Sequence, residues 1–488
     1  MIKILDSSGM KACDNYTINA LGIPSRELME RAAEACVSMI SDGRFDLGHV
    51  TAVCGTGNNG GDGMAIALML ARRGISVDVV FSGNKERCSP EAAFRLCELI
   101  ESGIKISPRS DFSDSTLIID ALFGIGLSRN IDGEYAEIID SMNRSGKSVF
   151  AVDIPSGISA DTGAVMGCAV RADETAAISN MKRGHVFYPG CEYAGRITVC
   201  DIGIPSGEAK DAIYALGDGD LAPIRARAAY SNKGSFGRVL IAGGSVGMAG
   251  AAYLSALAAY RSGAGLCDIL SPEENRIILQ TLLPEAVLSL YGASGPEETL
   301  KSALEKASCV VVGPGLGQGD TAKRIVKYIF ENARVPIICD ADALNITASL
   351  GLCYPSNVPV TVTPHLGEMA RLTGIAIDRI KKSLCESAQN YAEAHGVICL
   401  LKDARSVISD GKTTFVNTSG TSAMAKGGSG DVLTGVIAGL LALGFSEDEA
   451  AALGVFLHGR AGAAAACKKG EHSVLARDIA DCLLEKID

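Results

Sequence analysis

The sequence predicts two α/β domains in tandem, each a mostly parallel sheet with helices on both faces. Three observations lead there. The chain has 488 residues, too many for a single core when domains usually hold roughly 100–250. In both halves short apolar, β-rich runs alternate with stretches of helical spacing, the pattern of parallel strands joined by helical crossovers. Between the halves, residues 205–223 are rich in Pro, Ser, Gly and Asp without a period, as a boundary segment is.

The elements follow in order. The first forty-odd residues read as helices that precede the sheet, with Pro24 and Ser25 opening one of them. Strands are expected at 49–54, 75–81, 116–122, 149–154, 176–179 and 196–202. Helices at 64–73, 92–100 and 135–142 separate the earlier ones. After the boundary, strands are expected at 238–242, 309–312, 337–339, 360–363 and 397–401. Helices fill the gaps, notably at 251–261, 380–394, 432–443 and 449–467. No short solenoid-type repeat occurs.

Bulk properties exclude several classes. A net charge of −11 disfavours non-specific binding to nucleic acid or anionic lipid, which needs clustered Lys and Arg. The 16 Cys include no C-x-x-C pair, which argues against zinc on that spacing. Many fall in apolar strands, so reduced buried thiols and a cytoplasmic location are expected. The first residues lack the apolar run of a signal peptide. The longest apolar stretch, around 436–443, is shorter than the ~20 residues that span a bilayer.

Two glycine-rich loops carry the chemistry. Gly55-Thr56-Gly57-Asn58-Asn59-Gly60-Gly61-Asp62-Gly63 joins a strand to a helix. Unpaired amides and a positive helix dipole make such a junction an anion site. The loop satisfies G-x-G-x-x-G, which alone is weak evidence; the alternative is a tight turn without a ligand. Asp78, near where a ribose-binding acid would sit, reads as solvent-facing. Asp120 and Asp153 each end a strand, followed by Gly124-Ile125-Gly126 and by Pro155-Ser156-Gly157. Ligands of parallel sheets bind at strand carboxyl ends, so Asn59, Asp120, Asp153 and Ser156 can share one crevice. Each Asp is alternatively a cap or turn former.

The second loop, Gly427-Gly428-Ser429-Gly430-Asp431, opens the apolar helix at 432–443. Its amides can stabilise a transferred phosphoryl group, and Asp431 is placed to take a proton from an attacking hydroxyl. The alternative is a helix cap with a glycine lead-in. Gly313-Pro314-Gly315-Leu316-Gly317, Asp340-Ala341-Asp342, Pro364-His365-Leu366-Gly367-Glu368 and Leu401-Lys402-Asp403 also follow strands. His365 is read as functional or structural with equal weight. Lys402 meets a phosphate or is simply solvated. No G-x-x-x-x-G-K-[ST] occurs, so this is not a P-loop enzyme.

In the first half, GxGNNGGDG, DALFGxGLxR and VDIPSG, in this order, resemble the YjeF N-terminal family of NAD(P)H-hydrate epimerases. The resemblance covers most of residues 1–215, the expected first domain, and implies a Rossmann-like αβα sandwich. It implies that Asn58, Asn59, Gly60, Gly61, Asp62, Gly124, Ile125, Gly126, Leu127, Ser128, Arg129 and Asn130 hold the hydrated nucleotide, with Tyr135 and Asp153 nearby. It further implies a potassium ion on Asn59, Asp120 and Ser156, and Asp153 as the acid/base. Oxygen-only ligands suit such a hard cation.

In the second half, SNKG, GPGLG, DADALN, TPHLGE and MAKGGSGDVLTG resemble the ribokinase-like ADP-dependent NAD(P)H-hydrate dehydratases across residues 225–488. That resemblance implies Ala251, Gly317, His365 and Asp431 around the hydrate. It implies Lys402, Asp403, Ala404, Arg405, Ser406 and Gly430 on ADP, with Mg2+ accompanying ADP. One stretch departs from the family, with Gly420-Thr421-Ser422 where Gly-Asn-Pro is usual.

The two resemblances join in one chemistry. A reduced nicotinamide hydrated at C6 is phosphorylated on its hydroxyl and then expels phosphate. Asp431 reaches only one face, so an epimerase must supply the other epimer. NAD(P)HX and ADP are the expected partners, in a homo-oligomer with neither nucleic acid nor membrane. The competing readings are a small-molecule kinase with an N-terminal ligand-binding domain, and a non-catalytic N-terminal scaffold.

Overall fold

A computed structural model describes residues 1–107, 111–221, 224 and 227–484. Pro223, the last residue of the expected boundary segment, lies outside them, as do Arg225 and Asp488, the ends of the expected second domain. The chain divides into two compact units, one of Lys3–Ile213 and one of Tyr214–Asp488 with Met1–Ile2.

In the first unit, the sheet runs from edge to edge as Lys105–Ser107, Val77–Phe81, Val50–Cys54, Leu117–Ala121, Ser148–Val152, Glu174–Ile178 and Arg196–Cys200. All neighbours are parallel. Val50–Cys54 is buried along its whole length, because a central parallel strand is covered on both faces. Strand order reverses between Val50–Cys54 and Leu117–Ala121, with Cys54 opposite Ala121. The chain therefore leaves these two strands in opposite directions, which opens a crevice at their carboxyl ends. The helix after Val50–Cys54 spans Asn58–Arg72, beginning six residues before the expected start at 64. The glycine-rich loop is itself the first turn, since glycines that pack against neighbouring backbone remain helical. Gly60 is one: a Cβ there would overlap the Gly55 carbonyl oxygen.

The second unit contains an equivalent arrangement. Its strands run Val287–Tyr291, Leu266–Pro272, Arg238–Ala242, Cys309–Val312, Ile337–Cys339, Val360–Val362 and Ile398–Leu401 in parallel. Val407–Ser409 and Thr414–Val416 then add antiparallel strands that the periodicity did not predict. Tyr214 pairs with Phe415 beyond them, so the expected boundary segment contains structure: Ile213 and Ala215 are buried and alternate with Tyr214. The single helix expected at 380–394 is two, Ile377–Lys382 and Leu384–His395, broken at Ser383, whose backbone leaves the helical region at φ −144°, ψ 54°.

The helices Ala249–Arg261, Ser429–Ala442 and Glu447–Lys469 supply much of the core, with Val436, Ile437, Leu440 and Leu453 buried. Glu447–Lys469 is long and apolar enough to span a bilayer by composition, yet 72% of its apolar window is buried inside this unit. It is a core helix.

Candidate active sites

The first unit carries a cavity of about 760 Å³ at its topological switch point. Thr56, Gly57, Asn58, Asn59 and Asp62 form one wall, the segment Leu122 to Arg129 another, and Asp14 with Ile18 a third. Asp153 projects from the end of Ser148–Val152 with φ +68°. Left-handed backbone is uncommon for a non-glycine residue and is easiest for Asn and Asp, and such conformations cluster at functional sites. The Asp153 carboxylate accepts from the ammonium of Lys182, a fully buried lysine that also donates to the Ile178 carbonyl at 2.7 Å. A buried lysine needs such partners to stay charged.

Two more carboxyls lie within the field of this pair. Burial, then the charge of Asp153, raises Asp14 to about 6, with Lys182 opposing. Burial, then Asp153 and Asp14, holds Asp62 well above the usual carboxylate range. His185 accepts the Lys182 backbone N–H on Nδ1 at 3.1 Å. Burial and then Lys182 depress it to about 4, so it is neutral.

Behind the Leu122–Phe123 wall, Asp120 is fully buried. Ser156 donates to it twice, through Oγ to Oδ1 at 2.5 Å and through its backbone N–H to Oδ2 at 2.7 Å. Burial raises the Asp120 carboxyl to about 6 against these donors. The Phe123 N–H donates to Ser156 Oγ at 2.8 Å. Next along the chain, Gly124 abuts the Asn59 side chain: a Cβ on it would lie 3.1 Å from Asn59 Cβ. Both polar atoms of the Asn59 amide are buried without a hydrogen-bond partner. A buried amide without a partner calls for an explanation, and the oxygens of Asn59, Asp120 and Ser156 are of the kind a hard cation takes.

The second site gathers at the carboxyl ends of the other sheet. Gly428, at φ +94°, precedes the helix Ser429–Ala442, so Asp431 lies in its first turn rather than before it. The Ser429 N–H donates to the Lys426 carbonyl at 3.3 Å, while the Gly430 and Asp431 amides of the first turn have no intrahelical acceptor and can receive an anion. The Asp431 carbonyl accepts two hydroxyls, Ser255 at 2.9 Å and Thr434 at 2.8 Å, which fix the residue. Burial, then Asp340, raises its carboxyl to about 7.

Lys402 is part-buried and paired rather than simply solvated. Its ammonium lies 2.7 Å from Asp340, and a Cβ on Gly430 would sit 3.5 Å from it. Burial pulls its pKa down, but Asp340 and Glu368 outweigh burial and raise it. Between Asp340 and Asp342, Ala341 adopts φ +50°, a strained conformation that directs the two carboxylates differently. Asp342 accepts the Gly317 N–H at 2.8 Å.

His365 resolves as a cap. Its Nδ1 accepts the N–H groups of Gly367 at 2.9 Å and Glu368 at 3.2 Å, and its Nε2 lies 3.4 Å from Glu368 Oε1. The Lys402 N–H donates to the Pro364 carbonyl at 2.8 Å, which sets His365 and Lys402 side by side.

Asn58, Asn59, Asp62, Asp153 and the stretch of Gly124, Ile125, Gly126, Leu127, Ser128 and Arg129 reach the first cavity. Gly60 and Gly61 are buried in the helix start, while Asn130 and Tyr135 are outside the cavity lining. Tyr135 packs edge-on against Phe123 at 5.0 Å between centroids. In the second unit Gly430, next to Asp431, and His365 both adjoin Lys402, whereas Gly317 adjoins Ser245 and Asp342, and Ala251 is buried beside the Gly315 turn. Asp403 and Ala404 are exposed, Arg405 donates to the Thr418 carbonyl at 2.8 Å, and Ser406 is buried. At the departure from the family pattern, Thr421 caps a short turn by accepting the Ala423 N–H at 3.0 Å. A Thr cap substitutes for Asn, and Ser follows where Pro would open the turn.

Sequence reasoning missed Lys182 and Asp14. Lys182 carried no signal, since a lysine is ordinarily solvated. Asp14 had one: it falls four residues after Met10 and beside Cys13, both buried, and so close to the apolar stripe of its helix.

Residues 25–184 match the family model described as YjeF-related protein N-terminus, and residues 239–485 match that of NAD(P)H-hydrate dehydratase. A solved ADP/ATP-dependent NAD(P)H-hydrate dehydratase from Bacillus subtilis, co-crystallised with ATP and Mg2+, is 31% identical with a TM-score of 0.50. It covers 56% of this chain and 96% of its own. A ribokinase-like superfamily protein from Enterococcus faecalis is 31% identical with a TM-score of 0.51, over 56% of this chain and 94% of its own. Fold and sites thus define a fusion enzyme, a Rossmann-like unit joined to a ribokinase-like one.

The bifunctional NAD(P)H-hydrate repair enzyme Nnr of Moorella thermoacetica is 34% identical over 98% of this chain and 96% of its own. That of Escherichia coli is 33% identical over 94% and 89%. The chain belongs to the family of bifunctional NAD(P)H-hydrate repair enzymes.

Proposed function

We propose that residues 1–215 interconvert the R and S epimers of hydrated NADH and NADPH, and that residues 225–488 dehydrate the S epimer with ADP, giving AMP and phosphate. The observation that carries this reading is Asp431: a carboxyl raised to about 7 in the first turn of a glycine-led helix, beside Lys402. A base poised near neutrality is matched to deprotonating a hydroxyl.

In the C-terminal unit, Asp431 takes the proton of the C6 hydroxyl as its oxygen attacks the β-phosphorus of ADP. The helix amides and Lys402 stabilise the charge of the phosphoryl group in transit. The ring nitrogen then drives out phosphate, and loss of a C5 proton restores the dihydropyridine. Ala251, Gly317 and His365 border the hydrate, while Lys402 to Ser406 and Gly430 border ADP. Among the described residues no group of three or more His, Cys, Asp or Glu is arranged to hold a metal. Mg2+ is commonly held by one or two carboxylates plus substrate phosphates, so it fits as a companion of ADP, supplying neutralisation of phosphate charge.

In the N-terminal unit, Asp153 serves as the acid/base. Asn59, Asp120 and Ser156 fit potassium, whose bound charge would supply a fixed positive field beneath the nucleotide. Sixteen free thiols suit a reducing cytoplasm, and the family resemblance suggests a homo-oligomer.

Mixed-epimer hydrate supplied with ADP tests the reading. Return of reduced-nicotinamide absorbance from the whole mixture, with release of AMP and phosphate, is expected. A stable phosphorylated hydrate would favour a kinase. Half-consumption at the rate-limit of spontaneous epimerisation would remove the epimerase assignment.

A further inference from the structure

Epimerisation at C6 needs two proton-handling groups, whichever bond opens. One protonates the departing oxygen or nitrogen, and another removes a proton. Asp153 fills one role only, because the Lys182 ammonium and the Ile178 N–H, at 3.3 Å, both donate to its Oδ1. With these two donors Asp153 is placed as an acceptor. The second group must face the same cavity and be free to carry a proton.

Asp14 meets both conditions. It lies on the helix Ser7–Asn19, which forms a wall separate from the strand end that presents Asp153. Its position is held by Met10 and Cys13, which pack on Leu28, Ala32 and Ile202. No hydrogen bond or ion pair among the described residues ties its carboxyl down. The groups facing it are Asp153, Asp62 and Lys182, with Lys11 and Arg129 also on the cavity wall. Asp62 is the weaker candidate, since it lies only three residues from Asn59 in the nucleotide-gripping turn. The family model matches residues 25–184, so Asp14 precedes the matched stretch.

We propose that Asp14 is a second catalytic residue of the epimerase, working as the acid opposite the Asp153 base. The inference rests on the epimerase reading of this unit. Protonated Asp14 gives its proton to the C6 hydroxyl; the C6–O bond breaks with its electron pair, and water departs. The ring nitrogen lone pair forms the C6=N bond of an iminium ion. Water then adds to the opposite face of C6, and Asp153 accepts its proton. One water leaves and one enters, one proton is given and one taken. Proton exchange with solvent resets the pair. Carboxyls whose environments push their protonation apart are a recurring basis for acid and base assignments, and burial beside Asp153 favours the protonated form of Asp14.

The test measures interconversion of the separated hydrate epimers by the full-length protein without ADP. For Asp14→Asn, kcat should fall by ~10²–10⁴-fold, as for loss of a general acid, with KM within about threefold. Asp14→Glu, which retains a carboxyl, should recover part of the loss. In the wild type, kcat should decline as pH rises through the range where Asp14 deprotonates, and this limb should vanish in Asp14→Asn. Asp14→Asn with kcat within threefold of wild type would overturn the proposal, as would a raised KM with kcat and its pH profile unchanged. If the wild type itself does not exceed spontaneous epimerisation, the epimerase reading fails instead.

Discussion

Replacing Asp431 by Asn should cost activity and add stability, in amounts that depend on pH. The two side chains have nearly the same shape, so the exchange removes the base without opening a cavity. Loss of a general base lowers kcat by ~10²–10⁴-fold, or about 3–5 kcal/mol of barrier. In the wild type, Asp431 must be ionised to work, and burial with Asp340 raises it from 3.8 to about 7. Dehydration by the free enzyme should therefore rise as pH rises toward 7 and level off above it.

Stability runs the other way. A carboxyl raised in the folded state binds a proton more tightly there than in the unfolded chain, so stability falls as pH rises from about 4 to 7 and is lowest above 7. The full conversion is roughly 4 kcal/mol at 1.36 kcal/mol per pH unit. Asp431 is only part-buried, and solvent screening reduces this to about 1–3 kcal/mol. Each kcal/mol moves the melting temperature of a domain this large by ~2–4 °C. The variant should melt about 2–12 °C higher than wild type at pH 8 and equally at pH 4. Differential scanning calorimetry at both pH values, beside ADP-dependent NADH recovery, checks it. Activity within tenfold of wild type would place the base elsewhere. Lost activity with no gain at pH 8 would mean that the carboxylate is not strained by its surroundings.

Two further predictions concern the first unit. Gly60→Ala drives a Cβ into the Gly55 carbonyl, and overpacking of this kind costs ~1–3 kcal/mol or more. Its calorimetric transition should fall and epimerisation with it, whereas Gly57→Ala, with no protein atom in the way of its Cβ, should melt with wild type. Potassium should raise the melting temperature of this unit, by about 1.4 kcal/mol of stability at ten times its dissociation constant. Choline should not, and Asn59→Leu should abolish the shift by removing the orphaned amide. A potassium shift that persists in Asn59→Leu would move the ion elsewhere.

Both glycine loops were legible because their chemistry is local. A strand, a run of glycines and a helix start are contiguous in sequence, and the amides they expose follow from backbone geometry alone. The loops nonetheless begin their helices earlier than periodicity suggested, at Asn58 and Ser429. Glycine is a poor helix former by propensity, but close packing at Gly60 requires it. His365 could not be divided between function and structure until its Nδ1 was seen to accept two backbone amides.

By itself, the sequence determined two parallel α/β units, the loops that bind anions and the carboxylates that end strands, because each depends on short-range spacing. Only the tertiary structure decided what those carboxylates face. Lys182 reaches Asp153 across 29 positions, Lys402 reaches Asp340 across 62, and Asp14 enters the cavity on a helix from outside the sheet. The protonation of a buried acid is set by charges a few ångströms away, and those charges are brought there by folding rather than by proximity in the chain.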